Sequence, residues 1–275
     1  MGIEKFRYDG KRALVVGGAT GMGAACAQIA GEMGAEVVVM DYADVTYPVA
    51  KAIKLDLRDP TSIDAAVDAI GGPVHAVFSC AGVADGAKQL MLVNFIGQRQ
   101  VIDRLFQKDL LPRGSAIAMI SSAAGLGWEN NLPTIFELLD TPDFEAAKAW
   151  MEKRPELDNY GFSKQVMLAY TARQAYPFLK RGVRINSIMP GPTDTPLARA
   201  NADTWLTFAK DYRDELGIQA STPEEQAYPM IFLNSDAASH VNGISFLIDA
   251  GYVMAGFTDA YEAPFVKVMM GRAEA

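Results

Sequence analysis

Gly17, Gly21 and Gly23 stand in the spacing G-x-x-x-G-x-G, and Asp41 follows at the end of the next apolar run. Glycines so spaced allow a tight turn and close approach of a backbone to a pyrophosphate. Thr20 and Met22 lie in the same turn. A helix opening near Met22 aims unpaired N–H groups and the positive end of its dipole at those phosphates. An acid at the end of the second strand accepts hydrogen bonds from both ribose hydroxyls and repels a 2′-phosphate; the alternative for Asp41 is a solvated strand-end acid. Farther on, Tyr160 and Lys164 lie one helical turn apart on one face. Asn94 falls among apolar positions of a helical pattern, where an amide is costly unless it has partners.

Elements that would position these residues alternate along the whole chain. Ala13–Val16 reads as a buried strand, and Met22, Cys26, Ile29, Ala30 and Met33 carry helical spacing. Val37–Met40 is the next strand, so strand, turn, helix and strand fit the layout of a dinucleotide-binding unit. A strand over 51–55 ends at Asp56, which with Leu57 either meets an adenine amino group or caps the following helix, 60–69. A strand over 74–79 runs into Cys80-Ala81-Gly82, small enough to let a cofactor approach. One long helix is expected over 87–109, a strand over 115–121 leading to Ser122, and a helix over 158–180. A strand over 183–189 leads into Pro190-Gly191-Pro192-Thr193-Asp194-Thr195-Pro196. The stretch 197–216 reads as helical, 222–233 as a capped helix, 244–248 as the last strand and 252–275 as a tail. With no linker and no repeat, this is an α/β chain of one domain, 1–275, a doubly wound parallel sheet with helices on both faces.

Composition narrows the partners. The 275 residues carry a net charge of −8 and are 50% hydrophobic. No basic cluster invites nucleic acid or an anionic membrane. No apolar run approaches the roughly 20 residues of a membrane span, and the N-terminus lacks a secretory pattern. Gly2 invites a lipidation reading that Phe6 contradicts. Two cysteines, Cys26 and Cys80, make no disulfide framework. His75 and His240 are far apart, so no metal site is expected. A soluble, cytoplasmic protein is the expectation.

Taken in order, the glycines, Asp56-Leu57, Ala81-Gly82, Asn94, Ser122, Tyr160-x-x-x-Lys164 and Pro190-Gly191 with Thr195 resemble the short-chain dehydrogenase/reductase family, over nearly the whole chain to about Tyr252. The resemblance implies a Rossmann fold and a redox enzyme. Tyr160 would be the general acid/base, Lys164 would favour its phenolate and hold the nicotinamide ribose, and Ser122 would orient the substrate oxygen. Asn94 would hold a water linking Lys164 to solvent. Gly17, Thr20, Gly21, Met22, Gly23, Asp41, Asp56, Leu57, Cys80, Ala81, Gly82, Tyr160, Lys164, Pro190, Gly191, Thr193 and Thr195 would bind the cofactor. Asp41 favours NAD over NADP. The rival class is a non-catalytic protein that binds NAD as a sensor or structural ligand.

Three departures from the family pattern stand out. Val16 replaces a threonine that contacts the glycine turn, and Ser79-Cys80 replaces a pair of asparagines, one of which steadies the sheet. The third is a helical insertion over 126–157, between Ser122 and Tyr160, similar to one in the bacterial 3α-hydroxysteroid dehydrogenase/carbonyl reductase branch. There it covers a face otherwise used for tetramers, so a homo-oligomer is expected, a dimer rather than a tetramer; the insertion also serves as a candidate pocket wall. Leu197, Trp205, Leu206 and Phe208 of the lid segment 193–217, with Trp128 and Leu132 of the insertion, suggest an apolar pocket. A small hydrophobic alcohol or ketone (steroid, terpenoid or aryl-alkyl) fits it. Arg199 is the one candidate for a substrate anion, with a solvated role as its alternative. The tail either packs at a dimer interface or covers the pocket.

Overall fold

The computed structural model describes residues 2–269. Its seven strands are all parallel: β1 Arg12–Val16, β2 Glu36–Asp41, β3 Lys51–Lys54, β4 Ala76–Ser79, β5 Ala116–Ile120, β6 Arg184–Pro190 and β7 Ser245–Ile248. Their order across the sheet is β3-β2-β1-β4-β5-β6-β7. Parallel neighbours require crossovers, and helices supply them. These are α1 Gly21–Glu32, α2 Pro60–Asp68, α3 Gly97–Gln107, α4 Leu132–Leu139, α5 Phe144–Glu152 and α6 Tyr160–Lys180. After β6 come α7 Pro196–Ala200, α8 Ala202–Trp205, α9 Lys210–Leu216 and α10 Pro223–Asn234, and after β7, α11 Tyr252–Phe257 and α12 Pro264–Met269.

Successive strand residues point to opposite faces. Leu14, Val16, Val38, Met40 and Val77 join a core with α2, α3 and α6. Ala13, Val15, Val37, Val39 and Phe78 join a second core with α1 and α10. Near-continuous apolar strands are what two covered faces demand, and the expected doubly wound Rossmann sheet is what forms. Because the chain leaves β1 for β2 and β3 and returns to β4 on the other side, a crevice opens at the carboxyl ends of β1 and β4.

Two expected helices are not continuous. Over 87–109 the chain holds a turn at Gln89, with φ 57°, and a π-helical turn, Leu92–Ile96, before α3 begins. The cause is Asn94, whose amide is drawn to the backbone of Val83. Over 197–216 the chain makes α7, α8 and α9 instead of one helix, and Ala209 at φ 54° marks the break before α9. The tail contains α11 and α12; its residues 270–275 lie outside the described ones.

The insertion packs on the molecule's own helices. Ile135, Leu138, Phe144, Ala147 and Met151 are buried in the α3–α6 core, and Trp150 stacks on Phe162 at 6.5 Å. Arg99 of α3 donates to the Thr141 hydroxyl at 3.1 Å. Trp128 and Leu132, expected in the substrate pocket, pack against this core.

Candidate active site

The glycine turn is required by its surroundings. A Cβ on Gly17, which has φ 82°, would lie 2.4 Å from the Ala81 backbone, and one on Gly23 would lie 2.0 Å from the Gly17 carbonyl oxygen. Beyond the turn, α1 begins at Gly21 with Thr20 as its N-cap, and no side chain occupies its first N–H groups through Thr20. Asp41 is no loose strand-end acid. Its Oδ2 accepts the Ala19 N–H and its Oδ1 the Ala43 N–H, both at 2.8 Å, which locks the carboxylate beside the turn. The Tyr47 hydroxyl donates to the Gly18 carbonyl. These contacts support the turn where Val16 cannot.

The crevice is lined by Gly17, Thr20, Gly21, Met22 and Gly23, then by Asp41, Asp56, Leu57 and the Cys80–Gly82 strand end. Asp56 does not cap α2; Asp59 does, accepting from the Thr61 N–H at 2.9 Å. Instead Arg58 grips both oxygens of Asp56 at 2.9 Å, holding its carboxyl below the usual range, and lies 5.5 Å from the Tyr42 ring centre. An adenine amino group reaching Asp56 must share it with this guanidinium.

At the other end of the crevice three expected residues converge. Ser122 follows β5 by two residues in extended backbone, its Oγ accepting the Ala124 N–H at 3.1 Å, so its own proton remains to donate. Tyr160 opens α6, whose first turn is capped by Asn159 accepting the Phe162 N–H at 2.8 Å. Burial pushes the phenol up to about 12, against the lowering effect of Ser122, while Asp85 adds to the rise. Lys164 is buried, donates to the Ile120 carbonyl at 2.9 Å and lies 5.2 Å from the Tyr160 ring centre. Burial brings its ammonium down to about 8.

The Asn94 amide is bonded within the protein. Its Oδ1 accepts the Val83 N–H at 2.8 Å, and its Nδ2 donates to the Val83 carbonyl at 3.1 Å and to Ser163 Oγ at 3.2 Å. Ser163 in turn donates to the Tyr160 carbonyl at 2.7 Å. Thus the amide ties the cofactor-side loop to the helix of Tyr160.

Nor is the sheet left without an amide. Gln98, one helical turn beyond Asn94 and buried, accepts from the Ser79 hydroxyl and donates to the Ala81 and Asn94 carbonyls at 2.9 and 2.8 Å. A polar residue at i+4 from Asn94 was the available signal. Thr195 lines the crevice and, with Thr193, the neighbouring cavity beside Ser122, but their hydroxyls have protein partners. Thr193 donates to the Gly191 carbonyl at 3.0 Å and pairs with Ser221, while Thr195 caps α7, accepting the Ala198 N–H at 3.1 Å. Gln226 braces Ser221 at 2.9 Å; nothing in the local pattern marks it.

Beside Ser122 and Tyr160 lies a cavity of about 400 Å³ walled by Leu197, Trp205, Phe208, Phe265 and Met269. Trp205 packs on the Tyr160 ring with centroids 4.8 Å apart. Leu206 and the insertion are not in the wall; Phe265 and Met269 of the tail take that place. Arg199 is paired with Asp194 at the surface. His75 is a strand-end residue, its Nδ1 accepting the Arg12 N–H at 3.0 Å.

Residues 11–133 match the family described as short chain dehydrogenase, and 144–253 the one described as Enoyl-(Acyl carrier protein) reductase. A cis-4-hydroxycyclohexanecarboxylate dehydrogenase of Sinomonas cyclohexanicum is 30% identical over 87% of this chain and 95% of that protein. The chain belongs to the short-chain dehydrogenase/reductase family. Its family relatives include the coniferyl-alcohol dehydrogenase of Pseudomonas sp., 26% identical over 88% of this chain and 96% of the relative. Another is the 3-alpha-hydroxysteroid dehydrogenase/carbonyl reductase of Comamonas testosteroni, 28% identical over 86% and 95%. Among solved structures, a 3-alpha-hydroxysteroid dehydrogenase from Pseudomonas sp. complexed with NADH superposes with a TM-score of 0.75, at 26% identity over 91% of this chain and 99% of that one. The chain is therefore a dehydrogenase acting on alcohols or ketones, and its fold binds a nicotinamide cofactor.

Proposed function

We propose that this enzyme interconverts a hydrophobic secondary alcohol and its ketone with NAD(H), Tyr160 acting as general acid/base. The observation that carries this reading is the convergence of Ser122, Tyr160 and buried Lys164 at one end of a cavity whose other walls are Trp205, Phe208, Phe265 and Met269. The cofactor, when bound, supplies or accepts the hydride. Residues 17–23 fit its pyrophosphate, Asp41 its adenosine ribose, and Asp56 and Leu57 its adenine. Cys80–Gly82, Pro190, Gly191, Thr193 and Thr195 border the nicotinamide end. Asp41, already anchored by two backbone N–H groups, supports NAD over NADP because it cannot withdraw from a 2′-phosphate without giving up both bonds.

In the oxidation direction Ser122 donates to the substrate oxygen and Tyr160 takes its proton; in reduction the phenol gives that proton back. Lys164, positively charged below about pH 8, favours the phenolate once the substrate is engaged. The relatives named for cyclohexanol, hydroxycyclohexanecarboxylate, coniferyl alcohol and 3-alpha-hydroxysteroids support a cyclic or aryl-bearing substrate. A dimer is the proposed assembly, since α4 and α5 cover the outer side of the α3–α6 layer.

The test is cofactor reduction, followed by the near-ultraviolet absorbance of the reduced cofactor, with the secondary alcohols cyclohexanol, androsterone and 1-phenylethanol and with NAD or NADP. Turnover with NAD that falls by about 10²–10⁴-fold in Tyr160→Phe, with NAD affinity kept, is the expected result. Activity surviving in Tyr160→Phe, or a preference for NADP, would overturn the corresponding part of the reading.

A further inference from the structure

The loop between β4 and the π-helical turn is stitched to the start of α6 by acids exchanged between two helix starts. Asp85, from the loop, accepts the Tyr160 backbone N–H at 2.7 Å. Asp158, just before α6, accepts the Met91 N–H at 2.8 Å at the other helix start. Asn94 fixes the same loop two residues earlier, at Val83. Asp85 therefore does not float over the site: the loop is bound on both sides of it. Val83, Ala87 and Lys88 of that loop line the cofactor crevice.

We propose that Asp85 is a positioning residue for the reaction, fixing the first turn of α6 through the Tyr160 N–H and setting a negative charge beside the residue whose phenol handles the proton. The proposal rests on the reading of Tyr160 as the general acid/base. Around the phenol, the segment after β5 contributes the Ser122 hydroxyl, α6 itself contributes Lys164, the lid contributes the uncharged Trp205, and the loop contributes Asp85. Cys80 lines the same cavity, its thiol pushed up by burial and thus neutral. Lys88 borders the crevice, and Asp158 is committed to Met91. Among the described residues lining the substrate cavity, Lys164 is the one charged side chain. Asp85 and Lys164 are thus opposed controls on one proton. The acid keeps the phenol in the form that reduction needs; the ammonium favours the form that oxidation needs. The effect of Asp85 on the phenol runs in the direction expected of a nearby like charge, upward. Because Asp85 is exposed, added salt must weaken its influence.

Asp85→Asn separates strut from charge, since the amide oxygen still accepts the Tyr160 N–H. The measurement is the pH profile of kcat/KM for NAD-dependent oxidation of cyclohexanol, androsterone and 1-phenylethanol, at low salt and at about 1 M salt, where the screening length falls to roughly 3 Å. Asp85→Asn is expected to move the rising limb to lower pH by several tenths of a unit at low salt, and the gap from the parent enzyme to close at high salt. Asp85→Ala should show the same displacement together with a lower kcat, because the N–H bond is also lost. Coincident limbs in Asp85→Asn and the parent would overturn the electrostatic role and leave a strut. Full activity of Asp85→Ala would overturn both roles. If Tyr160→Phe stays active, or no alcohol is turned over, the reading of Tyr160 fails and the proposal falls with it.

Discussion

Burial brings the Lys164 ammonium down to about 8, from 10.5 for the free side chain. Between those values the unfolded chain binds the proton more tightly than the folded one, so this residue's contribution to stability rises as pH rises through that window. Below about pH 8 the full penalty of a buried charge is present, about 3 kcal/mol. Lys164→Met is therefore expected to melt at a higher temperature than the parent near pH 7, with the gap shrinking towards pH 10; a gap that does not change with pH would show that the ammonium is not the source. The spacing of Lys164 to Tyr160 says little by itself; Lys164 and Ser122 were legible through the ordered set of motifs that resembles the family. Asp85 and Tyr47 were not. Each acts on a residue distant in sequence through a bond to its backbone, and a backbone partner leaves no trace in residue type. Asp56 was half legible: its place at a strand end was clear, but Arg58, two residues on, takes both of its oxygens.

At the level of elements, the turn Leu92–Ile96 and the end of β4 depend on one another through Gln98. Gln98→Leu would leave the Ser79 hydroxyl and the Ala81 carbonyl without their partner in a buried setting, at about 1–3 kcal/mol for each unsatisfied group. Its consequence should reach the cofactor, because Ala81 lines the crevice. Weaker NAD binding together with a lower midpoint in urea is expected. Adding Ser79→Ala should restore part of the loss, since the cycle then removes both sides of one bond; strictly additive effects would refute the coupling. The periodicity that suggested one helix over 87–109 was real on the apolar face, which is why the widened turn was invisible: Leu92, Phe95 and Ile96 still bury themselves. The glycine turn, in contrast, was legible from its spacing, and at Gly23 its constraint is steric and local, whereas at Gly17 it comes from Ala81 across the sheet. Gly23→Ala places a methyl 2.0 Å from the Gly17 carbonyl oxygen. It should lower NAD affinity more than tenfold in a calorimetric titration, and unaltered affinity would mean that the turn can shift.

For the molecule as a whole, the cofactor crevice and the substrate cavity share Met22, Cys80–Gly82, Thr195 and Leu197 but differ in their outer walls. Apart from Thr195, Pro196 and Leu197, the crevice draws on residues 17–93, and none of its described lining residues comes from the tail. The substrate cavity takes its outer wall from α8, the segment before α9, and α12. Phe208 bridges the two, meeting Tyr252 edge-on at 5.3 Å and Phe265 at 6.1 Å, while Tyr212 and Tyr261 extend the same cluster. Of the tail's described residues, Phe265 and Met269 line the pocket. The sequence could not decide this, because the lid and the tail are separated by α10 and β7, and only the fold brings them together. Truncation after Ala260 should therefore divide the two functions. NAD affinity should be retained, while KM for a bulky alcohol such as androsterone rises several-fold, and Phe265→Ala should reproduce part of that rise without loss of thermal stability on the same scale. Equal weakening of cofactor and substrate by the truncation would instead mean that the tail supports the whole carboxyl end of the sheet, and that its aromatic cluster is a structural core rather than a wall of the pocket.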